Sequence, residues 1–181
     1  MTICFFSAQY LPTPGGVERY TWNLALRCVR SGGRAIVVTS ALPGLPDHET
    51  DADGIEIYRL PVFAVMGGRF PVLRPGRVLR ALTRQLWRHK IDFCVIQTRM
   101  YVQSLWAAWA AKRRGIPALV IDHSTGYMPV GGGLVGLAGR VYEQTVCRLI
   151  RAAGHPFYGV SAAVCRWLRS FGITAGGCLP N

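Results

Sequence analysis

Gly15 and Gly16 lie in the stretch "YLPTPGGVERYTW", between a short apolar run and a segment of helical periodicity. A helix N-terminus leaves backbone N–H groups unpaired and carries the positive end of the helix dipole, so it favours an anion. Glycines there remove the side chains that would hold a phosphate off. A tight strand-to-helix turn without a ligand fits the same spacing, and the residues alone leave the two readings level. His123 follows the apolar run "PALVID". An imidazole at a strand end can bond a ligand hydroxyl or exchange a proton near neutral pH; a hydrogen-bonded structural role is the plainer alternative. Thr98 and Arg99 close the run "DFCVIQT", and Tyr127 lies in the loop after His123. These three are candidates to line a pocket, Arg99 meeting a phosphate and Tyr127 stacking on a ring, with Arg99 as a solvated edge residue the alternative. Ser161 reads as a helix N-cap, Asp122 as a residue that orients its loop, and Glu143 as the partner of an arginine.

A second chemical feature is cationic. From Arg69 to Lys90 there are seven Lys or Arg and no carboxylate. Arg77, Arg80, Arg84 and Arg88 recur at helical spacing within a helix expected over 75–90, opposite Val78, Leu79, Leu82 and Leu86, with Trp87 on the border. Its outer face is either an ordinary solvated surface or one drawn to an anionic membrane leaflet.

The elements that must position these residues alternate along the chain. Continuous apolar runs at 2–8, 34–40, 55–62, 92–98, 117–122 and 157–160 read as strands buried on both faces. Helical patterns follow at 16–31, 75–90, 101–114, 134–152 and from 161, while "ALPGLPDHETDADG" reads as a polar loop. This order predicts an α/β fold, a doubly wound parallel sheet in three α/β/α layers. Ligands in such sheets gather beyond the carboxyl ends of the strands, which selects the loops at 9–16, 97–101 and 122–133 and the helix start at 161.

Composition limits the partners. The 181 residues carry 21 Lys plus Arg, all but two of them arginine, against 9 Asp plus Glu. That balance favours polyanions: nucleotide phosphates, nucleic acid or an anionic membrane. The six cysteines show no zinc or redox spacing and read as reduced core thiols. The start reads as a strand rather than a basic leader, and no run approaches the ~20 apolar residues of a spanning helix. Neither G-x-G-x-x-G nor G-x-x-x-x-G-K-[ST] occurs, and the second strand ends "VVTS" without the carboxylate that a dinucleotide reader uses. A Rossmann oxidoreductase is therefore a weakened alternative. A non-catalytic basic module binding membrane or nucleic acid is another, although no nucleic-acid motif is present.

The run of Pro12, Gly15, Gly16, Val17, Glu18, Arg19, Asn23, Leu24, Ala25 and Gly32, followed by "IVVTS", resembles the start of family 4 glycosyltransferases of the GT-B fold. The likeness continues in order through "DGIEIYRLP", "IDHSTGYM", Tyr142 and Glu143, "GVSAAVCRWLRSFGI" and the closing "LPN". It implies that residues 1–181 form the N-terminal, acceptor-side Rossmann-like domain of a two-domain enzyme whose C-terminal donor-binding domain is absent from this chain. It also implies a retaining transfer from a nucleotide-sugar donor to a polysaccharide or lipid-linked acceptor, without a metal or other cofactor. Gly15 and Gly16 would meet the donor diphosphate, His123 would stand at the reacting centre, and Thr98, Arg99 and Tyr127 would be acceptor-side residues. The isolated chain is expected to be inactive, and its partners to be the donor, the acceptor and the missing domain, with no nucleic acid. The setting implied is cytoplasmic, with attachment to the inner face of the plasma membrane through Arg77, Arg80, Arg84 and Arg88 left open.

Overall fold

The computed structural model describes residues 1–129, 131 and 133–180. Val130 and Gly132, in the loop expected at 122–133, and Asn181, in the closing "LPN", lie outside the described residues.

Among the described residues, nine strands and five helices follow one another as β1 (Thr2–Phe6), α1 (Gly16–Arg30), β2 (Arg34–Ser40), β3 (His48–Thr50), β4 (Glu56–Leu60), β5 (Val62–Val65), β6 (Phe70–Leu73), α2 (Arg77–Leu86), β7 (Phe93–Gln97), α3 (Val102–Arg114), β8 (Ala118–Asp122), α4 (Gly133–Arg151), β9 (Phe157–Gly159) and α5 (Ala162–Leu168), with a short 3₁₀ turn at Arg169–Phe171. Seven strands form one sheet in the order β3-β4-β2-β1-β7-β8-β9, parallel throughout except for β3.

Alternate residues of each strand enter two separate cores. Cys4, Phe6, Ile36, Val38, Cys94 and Ile96 face a core closed by α2, α3, α4 and Leu168 of α5. Phe5, Ala35, Val37, Ile57, Val95 and Ile121 face one closed by α1 through Tyr20, Ala25 and Leu26. Both sets are apolar because both faces are covered, which is why the runs show no polar alternation. Coverage is uneven. Beside α1, Ile3, Phe5, Val95 and Leu119 line an apolar recess of about 600 Å³ that Leu179 and Pro180 partly border.

Three local expectations need correction. The segment 41–54 is not simply a polar loop: β3 pairs antiparallel with β4, and Glu49 on it binds the buried Arg59 of β4 at 2.6 Å. A charged three-residue strand of this kind ends a sheet without offering a long free edge. The third strand does not run on to Val62. It stops at Leu60, and β5 and β6 form a separate hairpin. Its tip holds Met66, Gly67 and Gly68 in the left-handed region, which the two glycines accept readily. The cationic helix is also shorter than expected. Leu82 and Leu86 are buried and Leu79 packs beside them, but Val78 stands exposed.

The chain leaves β1 in one direction toward β2 and β4, and later enters β7 on the opposite side of β1. This reversal places the carboxyl ends of β1 and β7 side by side, where open α/β sheets form their ligand crevice.

Candidate active site at the carboxyl ends of the strands

The loop after β1 is fixed from three directions. Ser7 N–H donates to Val38 O, the Ser40 hydroxyl donates to Ala8 O, and Gln9 Nε2 donates to Gly68 O at the hairpin tip. The loop ends at Gly15, the N-cap of α1, which supplies no side-chain cap to the first amides. The two glycines serve different purposes. A Cβ on Gly15 would run into the carboxylate of Glu18, which packs against it and is only 7% exposed. A Cβ on Gly16 would meet nothing within 4 Å. Gly15 therefore makes room for Glu18, and Gly16 leaves the helix mouth open. Glu18 was not among the sequence candidates. Its position three residues after the N-cap, from which a glutamate can reach back to the cap, was the signal available.

The end of β7 departs from expectation. Thr98 adopts a left-handed backbone (φ 60), an outlier for a β-branched residue that costs on the order of 1–3 kcal/mol. Its hydroxyl donates to Gln97 O at 2.6 Å and its N–H to Ile121 O at 2.7 Å, so its polar groups are committed inside the fold. Arg99 has no exposed surface. Its Nη1 donates to Asp122 Oδ2 and Ser124 Oγ, each at 2.6 Å, and its Nη2 to Glu143 Oε2 at 3.2 Å. The guanidinium also lies 4.2 Å above the Phe171 ring. As placed, neither Thr98 nor Arg99 lines the cavity that Tyr127 borders. Arg99 is instead the centre of a buried ion cluster, its partners lying 23 and 44 residues away in sequence. Asp122 and Glu143 match their sequence readings as loop-orienting and arginine-pairing residues. Burial pushes the Asp122 carboxyl up to about 6 against the pull of Arg99, and it raises Glu143 as well, while the Met128 N–H donates to Glu143.

His123, the first residue beyond β8, lies 2.8 Å from Gln97 Oε1 through its Nε2. Since that oxygen only accepts, the proton sits on Nε2 and Nδ1 carries the lone pair. Burial pushes the imidazole down to about 4, so it is neutral at physiological pH. Its ring meets Tyr20 of α1 edge-on at 5.1 Å. The histidine loop and the first turns of the glycine-led helix thus share one aromatic contact. Gln97, a buried strand-end residue, is the orienting group that sequence reading missed.

Tyr127 is held by Gln144, which donates to its hydroxyl at 2.9 Å, and by edge contacts to Trp167 and Phe171. It borders a cavity of about 250 Å³ together with Met100, Tyr101 and Ser124 and with Arg69 and Phe70 of the hairpin. Phe70 and Tyr101 stack at 5.3 Å. Tyr127 borders this cavity as expected, but beside it stand Tyr101 and the hairpin residues Arg69 and Phe70 rather than Thr98 and Arg99. Ser161 caps α5, accepting from Val164 N–H at 3.3 Å.

The sequence profile described as a glycosyl transferase 4-like domain matches residues 15–179. No curated protein matches the chain in sequence. One sucrose-phosphate synthase chain from Thermosynechococcus elongatus superposes with a TM-score of 0.63 at 14% identity, covering 100% of this chain and 89% of that one. A longer chain of the same enzyme gives a TM-score of 0.64 at 14% identity, covering 99% of this chain and 47% of that one. At this identity what is shared is the fold, and the present chain spans about half of that longer enzyme.

Two outcomes follow from the buried groups. Replacing Arg99 with Leu strands Asp122 and Glu143 in the interior and should cost roughly 3–5 kcal/mol in urea denaturation; a loss below ~1 kcal/mol would mean that the cluster does not hold the site together. His123 titrates at about 4 folded against an ordinary 6.5, so its contribution to stability is present above 6.5 and is lost as pH falls toward 4. Asp122, raised to about 6 from 3.8, works in the opposite sense, contributing below 3.8 and losing that contribution as pH rises through 6. The difference between wild type and His123→Asn removes the shared Asp122 effect. Wild type should lose stability relative to the variant between pH 6.5 and 4.

Proposed function

The chain belongs to the glycosyl transferase 4-like domain family, and we propose that it forms the acceptor-side half of a two-domain glycosyltransferase that takes a sugar from a nucleotide-sugar donor. The observation that carries this reading is the open mouth of α1 at Gly16, joined through Tyr20 to a neutral, oriented His123. In the transfer, an acceptor hydroxyl oxygen bonds to the anomeric carbon while the bond from that carbon to the diphosphate oxygen breaks, the hydroxyl proton passing to the departing diphosphate, with retention of configuration. The departing nucleoside diphosphate gains negative charge, and the unpaired amides and dipole of α1 are the groups on this chain that meet it. Gly15 and Gly16 let the backbone do so, Gly16 by leaving the approach clear and Gly15 by making room for Glu18. No metal is assigned to the step.

His123 contributes as a hydrogen-bond acceptor through Nδ1, placing a hydroxyl of donor or acceptor; it is uncharged and so does not neutralise the diphosphate. The acceptor is assigned to the cavity bordered by Tyr127, Tyr101, Phe70 and Arg69, where aromatic faces suit a sugar ring and the guanidinium suits a phosphate. A polysaccharide end or a lipid-linked saccharide meets that description. Most donor contacts are assigned to a second domain, supplied in the same polypeptide or by a partner. Work on a lipid-linked acceptor takes place at the cytoplasmic membrane surface, and the outward arginines of α2 (Arg77, Arg80 and Arg84), with Arg88 just after it, are the groups proposed to face it. Among the described residues no helix is long and apolar enough to cross a membrane.

The reading is tested by nucleotide-sugar turnover. The 181-residue chain alone is expected to show none, and robust turnover by it would remove the half-enzyme assignment. In the protein completed by its second domain, Gly16→Val should leave the thermal midpoint unchanged, because the space is open, yet reduce turnover roughly 100-fold as the diphosphate is held off. Wild-type turnover in that variant would remove the diphosphate role.

A further inference from the structure

A groove of about 740 Å³ runs between α2 and the later turns of α3, on the helical face of the sheet rather than at the strand ends. Its floor is aromatic. Trp87 and Trp106 lie 6.0 Å apart, and each packs against Phe6 of β1, at 6.1 and 5.8 Å. Trp109 completes the lining and donates its indole N–H to Leu149 O of α4. The rim is cationic: Arg80 and Arg84 come from α2, Arg88 from the turn just after it, and Arg113 and Arg114 from α3. No carboxylate lines the groove, and among the described residues none of these five arginines forms an ion pair. Arg114 lies 4.0 Å over the Trp87 ring, and burial together with the neighbouring Arg113 charge pulls its pKa down.

Like charges gathered around a concave aromatic surface repel one another, and anions seated among them relieve the repulsion. Guanidinium forks fit phosphate oxygens in two-point contacts, which ammonium groups do not. We propose that this groove seats the phosphate-bearing headgroups of anionic phospholipids and holds the protein against a bilayer surface. Two observations favour a membrane over a nucleic acid. The rings of Trp87 and Trp106 are fixed in packing with Phe6 and with each other, so they are not free to splay apart and take bases between them. Apolar side chains are also exposed in the adjoining stretch of chain: Val78 in the first turn of α2, and Phe63 and Val65 on the hairpin that leads into it. Cations beside indoles and exposed aliphatics make the pattern of an interfacial surface.

The inference deepens the membrane reading of α2 by adding a built groove, and it does not depend on the transfer chemistry. Binding is measured on the 181-residue chain, which is not expected to turn over a donor, so failure here would leave the turnover assay standing. The probe is co-sedimentation with vesicles of equal parts phosphatidylglycerol and phosphatidylcholine, compared with phosphatidylcholine alone. Arg84→Ala/Arg113→Ala removes two rim cations, whereas Arg30→Ala/Arg166→Ala removes two exposed cations that do not line the groove and so matches the net charge. Circular dichroism checks that both fold. The expected result is binding to the anionic vesicles only, weakened about 30-fold in the groove variant at about fivefold per cation, and near wild type in the control. Equal weakening in both variants would reduce the effect to net charge and overturn the groove. So would the absence of vesicle binding, or retention on single-stranded RNA that the groove variant alone loses while vesicles go unbound.

Discussion

One arginine charge held among two carboxylates in the interior sets the geometry of the strand ends. Arg99 follows β7, Asp122 ends β8, Glu143 lies inside α4, and Phe171 in the 3₁₀ turn lies beneath the guanidinium. Separately, each charge would be very costly to bury; together they are tolerable only in a narrow arrangement. An apolar cluster could fill the same space with many side-chain combinations. The ionic one fixes which loop meets which, and His123 and Tyr127 sit on the loop it fixes. Conformational specificity, more than net stability, is what such a cluster contributes.

The same cluster explains how the remaining charge is used. Of the three arginines in ion pairs among the described residues, Arg59 and Arg99 are turned inward and Arg34 binds Glu56 at the surface. The others form an outward field with few local counter-charges, in a chain whose net charge is +12. The fold directs this excess to two kinds of place. At the strand ends positive partial charge is offered by backbone, at the start of α1 beside the buried Glu18, with Arg69 nearby. Between α2 and α3 the charge comes from guanidinium groups over tryptophan. The first arrangement suits a transient charge that forms and leaves. The second suits a standing anionic surface.

Much of this was legible in the sequence. Strands buried on both faces announce themselves as unbroken apolar runs, and the spacing of Tyr20 and Leu24 marks α1. The glycine turn before α1, the place of His123 just past β8 and the cap at Ser161 were readable because each depends on near neighbours; the neutrality of His123 was not, since it comes from burial. The failures share a cause. Arg99 looks like any arginine until its partners, far along the chain, are brought to it. Edge strand β3 is three residues long and charged, and pairing with β4 rather than its own propensity makes it a strand. The β5–β6 hairpin was hidden because Val62 continues the apolar pattern of β4 across Pro61, so only the double glycine marked a reversal. Its side chains, with Tyr101, then took the lining role assigned to Thr98 and Arg99. The division of labour between Gly15 and Gly16 was equally invisible, since it turns on where the Glu18 carboxylate lies.

The account rests on the uncapped amides of α1 and the imidazole of His123 lining one site, the amides toward a diphosphate and Nδ1 toward a hydroxyl of the same ligand. Backbone amide and imidazole NMR shifts of the 181-residue chain, followed while a nucleoside diphosphate is added, report on that directly. The account predicts that Gly15, Gly16 and Val17 amides and the His123 ring respond together, with a single shared affinity. Shifts confined to the arginine rim of α2 and α3, or a glycine turn that stays silent while His123 moves, would contradict it.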